Sequence, residues 1–466
     1  LSMEDSDYVH IDSASDIYTL DPRRHLILAV FCIPNLLASA EWITFAPIED
    51  AVRVHFDNIS SFQVNCLSMV FMALYGPGTA LAAWSIRKFG LRESVVVASA
   101  IMALGSLLRW WSVYSINKTT VITTTATAPS SEGEGGLLAY TMLLTGQSLV
   151  AIAAPVFANA PARVASAWFV QTTQAIGVAV FAALVGMVLG QAMSPLCVTE
   201  STGNHLGQLL AGRAICMVAS AFANWVWFES EPAIPPSAAE AARRRCEQQQ
   251  HRHHDNHSQS AALLWRDVKS LCKDPQYIIM IVALGLGYGV NNAILTLLQP
   301  WIAASGFPGD KIAGLCGSLS IAGGVIGTCI AAPLLDASRN YQQAIRWSFA
   351  ISFLVSVAAV ATLQPQTPVW LLVTAFTAMG ASQLPLLTIC LDAAAAHTYP
   401  IPEELSSAGL QLVGQYLGIV LIDGMGKLLE RNGTRSGFAA PVNIAFLSLL
   451  GTAAAFALCY SGSDHR

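Results

Sequence analysis

Charge is scarce in this chain. Only 11% of its 466 residues are Asp, Glu, Lys or Arg, where a soluble protein carries about a quarter, and the shortage excludes an ordinary water-soluble fold. A basic excess is missing too: the net charge is −5, and no basic stripe with interleaved aromatics occurs, which argues against a nucleic-acid partner. The ten cysteines show no paired spacing. They lie in apolar runs (Cys32, Cys66, Cys216, Cys316, Cys329, Cys390, Cys459) or loops (Cys197, Cys246, Cys272), so neither a disulfide framework nor a zinc site is implied. Leu1 to Thr19 is acidic and polar and lacks the basic and apolar regions of a cleavable signal peptide. The first apolar span must therefore direct insertion, and the lack of an initiator Met leads us to expect a chain incomplete at this end.

What is abundant is apolar sequence. Hydrophobic residues make up 54% of the chain and the mean hydropathy is +0.52. A crossing helix needs about 20 mostly apolar residues, and twelve such runs are predicted over 25–48, 62–86, 92–115, 137–160, 170–193, 207–228, 277–302, 312–335, 343–363, 368–391, 405–427 and 438–460. They form two clusters of six. The long hydrophilic segment between them runs from Glu229 to Gln276. This is the pattern of an all-α membrane protein with the major facilitator fold, two six-helix bundles around a midplane cavity. The expected organisation is a cytosolic tail (1–24), a first bundle (25–229), a cytosolic central loop (230–276), a second bundle (277–460) and a short tail (461–466).

Orientation follows from the basic residues. With both termini cytosolic, sixteen of the 24 Lys and Arg fall inside, in the sense of the positive-inside rule. The sequons at Asn58, Asn117 and Asn432 then face outside and are glycosylation candidates, while Asn256 falls inside. In the turn Trp84-Ser-Ile-Arg-Lys-Phe-Gly-Leu-Arg92, many facilitators place an acid where Arg87 stands, so a cytosolic gate of Arg87, Lys88 and Arg92 must be wired differently. Its counterpart near 333–339 keeps Asp336 and Arg339. Four histidines within 251–257 could ligate a transition metal, but they read better as a basic linker, and no metal or cofactor is expected.

The stretch Asn35-Leu-Leu-Ala-Ser-Ala-Glu-Trp-Ile-Thr-Phe-Ala-Pro-Ile-Glu-Asp50 sets a tryptophan beside a carboxylate deep in an apolar run. At helical spacing Asn35, Ser39, Trp42, Ala46 and Glu49 share one stripe. Such a stripe should face a cavity, with Trp42 as a platform for a cation and Glu41 as a group for charge balance or proton coupling. Similar polar stripes occur in the seventh span (Tyr288, Asn292, Thr296, Gln299), the eleventh (Ser407, Gln411, Gln415, Gly418) and the tenth (Gln383, Thr388, Asp392). Intramembrane polar groups face a cavity or another helix. Asp423 and Lys427, four apart, are expected to form a structural ion pair. Gly186-x-x-x-Gly190, Gly323-x-x-x-Gly327 and Gly414-x-x-x-Gly418 should let helices approach closely.

Several motifs together resemble the feline leukaemia virus subgroup C receptor-related transporters, a group of major facilitators that includes the disrupted-in-renal-carcinoma branch. They are Tyr18-Thr-Leu-Asp-Pro-Arg-Arg-His-Leu-Ile-Leu, Glu41-Trp-Ile-Thr-Phe-Ala-Pro-Ile, Leu67-Ser-Met-Val-Phe-Met, Gly90-Leu-Arg, Gly146-Gln, Pro161-Ala-Arg-Val-Ala-Ser-Ala-Trp-Phe169 and Tyr399-Pro-Ile-Pro-Glu403. Ala46-Pro-Ile and Tyr399-Pro-Ile-Pro-Glu lean towards that branch. The resemblance implies transport of choline or ethanolamine, with haem export also ascribed to the family, and of vitamin B6 in the renal-carcinoma branch. It implies that Trp42 and Gln415 fall on two of the four residues that hold a quaternary ammonium in the choline carriers. Gly186 stands at the position of a fifth-span glutamine, and Asn292 at that of a seventh-span tyrosine, with Tyr288 one turn away.

The expected function is thus alternating-access transport of a small organic solute across a plasma or endolysosomal membrane, by a monomer whose partners are the solute and the lipid. The rival reading is a receptor that kept the fold without transport. An enzyme is disfavoured, because Gly285-x-Gly-x-Gly289 lies within an apolar span and lacks the strand-turn-helix setting of a nucleotide loop.

Overall fold

Long apolar runs become helices in a bilayer because a helix satisfies every backbone N–H and C=O within its own segment. The computed structural model describes residues 11–12, 16–17, 21–123, 134–170, 172–198, 205–236, 240, 266, 268–307, 309–338, 340–398, 401, 403–432 and 440–461. Twelve spans among these are long and apolar enough to cross a membrane. In the first half they are α1 (Arg24–Trp42) continued by α2 (Glu49–His55), then α3 (Ser61–Phe89), α4 (Leu91–Thr123), α5 (Glu134–Asn159), α7 (Thr172–Cys197) and α8 (Leu206–Trp227), with the short α6 (Pro161–Trp168) between α5 and α7. In the second half they are α9 (Pro275–Ala304), α10 (Asp310–Ser338), α11 (Tyr341–Ala361), α12 (Val369–His397), α13 (Glu403–Asn432) and α14 (Ala440–Cys459). A two-residue antiparallel pair, Ile11–Asp12 with Asp16–Ile17, precedes them.

Helix ends follow local chemistry. Ser60 opens α3 with a capping box, its Oγ accepting from the Gln63 N–H at 3.2 Å while the Gln63 side chain accepts from the Ser60 N–H at 2.8 Å. Gly90 closes α3 at φ +89°, a conformation that costs glycine little. Asp274 caps α9, accepting from the N–H groups of Gln276 and Tyr277, with Pro275 in the first turn.

The first span departs from expectation. A single helix is predicted over 25–48, but α1 stops at Trp42, a 3-10 turn covers Ala46–Ile48, and the chain restarts as α2. Pro47 has no N–H to donate and its ring crowds the carbonyl of the preceding turn, so it favours the break seen here. The predicted stripe from Asn35 to Glu49 is therefore cut at Trp42. The carbonyls of the last turn of α1 are left for side chains to bond.

Alternate connections define two faces. One holds the start of α1, α6, the end of α8, the start of α9 and the end of α14; we call it the terminal face, and the other the distal face. Close crossings inside each half use the predicted glycines. A Cβ at Gly190 would lie 2.7 Å from the Ala40 carbonyl oxygen, Gly186 lies against the Leu36 backbone, and Gly323 and Gly327 lie against Thr377 and Ala381 of α12. Phe31, Phe157, Phe228 and Trp168 anchor the core of the first half, and Tyr277, Phe349 and Cys390 part of the second.

The halves clasp each other from mid-depth towards the distal face. Tyr75 Oη donates to Gln411 Oε1 at 2.9 Å, Gln191 Nε2 to the Leu295 carbonyl at 3.2 Å, and Gln299 Nε2 to Asp50 Oδ2 at 2.8 Å. Gly314 of α10 abuts Pro195 and the Gln191 carbonyl of α7, and Gly76 of α3 abuts Tyr416 and Leu412 of α13.

Candidate functional site

Trp42 ends α1 on this seam. The ring is partly buried and packs on an apolar cluster that joins Met69 and Met72 of α3 to Val290 and Ile294 of α9 and Ile422 of α13. It also touches a second cluster, built on Ile43, Ala46, Leu295 and Ile321. It thus sits between the halves. Its Nε1 is buried and has no hydrogen-bond partner among the described residues. An orphaned buried N–H costs about 1–3 kcal/mol, so the indole offers a donor to any acceptor that reaches it.

The stripe residues of α9 and α13 meet one another. Asn292 Nδ2 donates to Gln415 Oε1 and Gln415 Nε2 to Tyr288 Oη, both at 3.4 Å. These are long bonds, and such loosely held groups can exchange partners with a solute. Gln411 is held by Tyr75 of the opposite half. The patch joins the tryptophan through Gly418, where a Cβ would touch Met72 Sδ at 3.2 Å and Asn292 at 3.5 Å. The partner of Tyr75 carries no signal in the sequence, since it lies 336 residues away.

Asn35 has a different place from the one expected. Its Nδ2 donates to the Ala179 carbonyl of α7 at 3.0 Å, a bond that fastens α1 to α7. Glu41 also points into the first half. Arg109 Nη1 of α4 lies 2.7 Å from Glu41 Oε2, and Ser106 donates to Glu41 Oε1. Beside them Arg213 of α8 donates to Thr44 and, at 2.6 Å, to the Ala40 carbonyl. Gln147 Nε2 takes the Glu41 carbonyl at 3.2 Å. One cation, Arg213, and one amide, Gln147, thereby bond carbonyls at the broken end of α1, while Arg109 holds the Glu41 carboxylate beside them, and the negative end of the helix dipole favours both cations. The carboxylate is charge-compensated where it stands by Arg109, a pairing in keeping with the expected charge-balance role of Glu41. Sequence reasoning passed over Arg109 and Arg213, although each is a cation within an apolar span, the signal that marks an intramembrane partner.

A family model of the Major Facilitator Superfamily matches residues 31–422. The chain belongs to this superfamily. Among curated relatives, the choline/ethanolamine transporter flvcr2a of Danio rerio is 29% identical over 89% of this chain and 82% of its own length. Solute carrier family 49 member A3 of Xenopus tropicalis is 27% identical over 85% of this chain and 76% of its own. Among solved structures, a bacterial homologue of the human lysosomal transporter Spinster superposes with a TM-score of 0.64 at 16% identity, covering 94% of this chain and 97% of that one. The D-xylose–proton symporter superposes with a TM-score of 0.64 at 14% identity, over 94% and 98% of the two chains. The superpositions confirm the fold.

Among the described residues, the gate residues expected from the first half are held within that half. Arg87 Nε donates to the Ala83 carbonyl of its own helix, and Lys88 Nζ stands 4.8 Å from the Trp84 ring centroid. Arg92 caps the end of α8, donating to the carbonyls of Phe228 at 3.0 Å and Trp225 at 3.2 Å. Its own half absorbs it because α8 presents unsatisfied carbonyls there. The Asp336 side chain and Arg339 lie outside the described residues, as do the histidine-rich segment, Asn256 and the side chains of Asn117 and Asn432. Asn58 is exposed in the α2–α3 connection at φ +59°. Lys427 Nζ meets Asp423 Oδ2 at 2.7 Å, as expected.

Proposed function

We propose that this facilitator carries a small organic cation of the choline or ethanolamine type, by alternating access, with Trp42 as its main contact. The observation that carries the reading is the position of Trp42 on the seam with an unengaged indole N–H. Tyr288, Asn292 and Gln415 lie beyond Met72 and are held to one another only by long hydrogen bonds. A ring face attracts a cation by about 0.5–2 kcal/mol, and the N–H and amides suit the hydroxyl that choline and ethanolamine share. The names of the relatives, choline/ethanolamine transporters, point to the same chemistry.

A second reading has one observation behind it. Gly186 is pressed on the Leu36 backbone, so no side chain can stand where the choline carriers are expected to place a glutamine. A flatter solute such as a vitamin B6-like ring needs no such contact. The terminal face is read as cytosolic from its excess of Lys and Arg, in a monomer of the plasma or endolysosomal membrane, with Asn58 as a glycosylation site on the distal face. Clasped distally, the halves would present the solute site to the cytosol.

Proteoliposomes loaded with labelled choline, ethanolamine, pyridoxine or haem decide among these. Flux of choline or ethanolamine that Trp42→Ala abolishes is the expected result. Flux of neither, with pyridoxine carried instead, selects the second reading, and flux of haem alone overturns both.

A further inference from the structure

Glu49 is a buried acid with no counter-charge in bonding contact among the described residues. It opens α2, is 2% exposed, and accepts from Ser61 of α3 on Oε1. Its Oε2 is buried and has no hydrogen-bond partner among the described residues. The charged groups close enough to act on it are Asp50 and Arg53 of α2, Asp310 of α10 and Glu430 of α13, three acids against one base. Arg53 is turned away, its Nε donating to the Ile59 carbonyl and its Nη1 lying 3.9 Å from Asp50.

Two of the neighbouring acids have other partners. Asp50 and Asp310 receive the same amide nitrogen, Gln299 Nε2, at 2.8 and 3.1 Å. That nitrogen bridges the halves on the distal side. Asp310 also stands in the first turn of α10, where the helix dipole favours a carboxylate. No group of three or more His, Cys, Asp or Glu among the described residues is arranged to hold a metal ion.

We propose that Glu49 is a proton-binding site of a distal gate, occupied when the halves close there and emptied when they part. A buried carboxylate with one oxygen unsatisfied and acids around it is expensive to keep charged. The proton comes from distal water as the Gln299 bridge forms, bonds to Glu49 Oε2, and returns to that water when the bridge breaks and the carboxyl is hydrated. One proton is taken up on closure, so the closed gate gains on the open gate as pH falls. This rests on the alternating-access reading, and it moves the proton-linked role from Glu41, which Arg109 neutralises, to Glu49.

The test uses substrate-free protein in nanodiscs, with spin labels at the exposed positions Val54 of α2 and Lys311 of α10 and the exposed cysteines replaced by serine. Electron-electron distance distributions are recorded across pH. In the otherwise native chain the ratio of closed to open gate should rise on acidification, by up to about tenfold per pH unit for a single proton. Glu49→Gln, which keeps the size and the Ser61 bond, should stay closed at every pH. A pH response that persists in Glu49→Gln, or a native chain with none, overturns the proposal. The readout needs no substrate, so it stands apart from any failure of the transport reading, which flux alone decides.

Discussion

Arg109 and Glu41 meet inside the first half with Nη1 2.7 Å from Oε2, each side chain only 1% exposed. The pair ties α4 to the broken end of α1, immediately before Trp42. It therefore sets where the indole stands without touching solute.

Removing one partner should damage stability more than removing both. Glu41→Gln leaves Arg109 buried without its anion, at a cost of about 3–5 kcal/mol, and should lower thermal stability and yield in detergent. The double variant Glu41→Gln, Arg109→Met should recover most of that loss. Melting temperatures of purified protein check this, and equal damage from the single and double variants would contradict it.

Trp42→Ala should abolish solute flux while leaving surface expression near normal, because the ring is only partly buried and sits on the seam. Trp42→Phe keeps a ring face but loses the N–H, so it should retain a reduced flux. Uptake normalised to surface protein provides the measurement. Undiminished flux in the alanine variant would remove the site assignment.

Gln415→Ala and Asn292→Ala each delete one weak hydrogen-bonding group near the proposed site. A net bond worth about 1 kcal/mol corresponds to roughly fivefold in apparent affinity, so KM should rise by about that factor with maximal flux little changed. An unchanged KM in both variants would assign these amides to packing between α9 and α13.

Gly186→Ala should destabilise the first half although the change adds one methyl group. The new Cβ would collide with the Leu36 backbone, which cannot turn aside as a side chain can, and overpacking of this kind costs about 1–3 kcal/mol. By contrast Gly177→Ala in the same helix meets nothing within 4 Å and should be tolerated. Comparing their melting temperatures tests whether close approach is the purpose of Gly186.

Low charge, the twelve apolar runs and the hydrophilic break between two sets of six were enough by themselves to determine a twelve-helix facilitator. Crossing a bilayer imposes length and hydropathy on each span separately, and both properties are local. The seam residues Trp42, Tyr288, Asn292 and Gln415 were also legible, because a polar or aromatic group in an apolar run stands out one helix at a time. Which partner each polar group takes was decided only in three dimensions. Asn35 and Glu41 carry the same signal as Trp42, yet Asn35 bonds Ala179 and Glu41 pairs with Arg109, while Tyr75 reaches Gln411 from the other half. The sequence shows that a buried polar group needs a partner, but the choice depends on contacts between residues tens to hundreds of positions apart, on where Pro47 breaks the first span, and on how closely glycines let the helices approach.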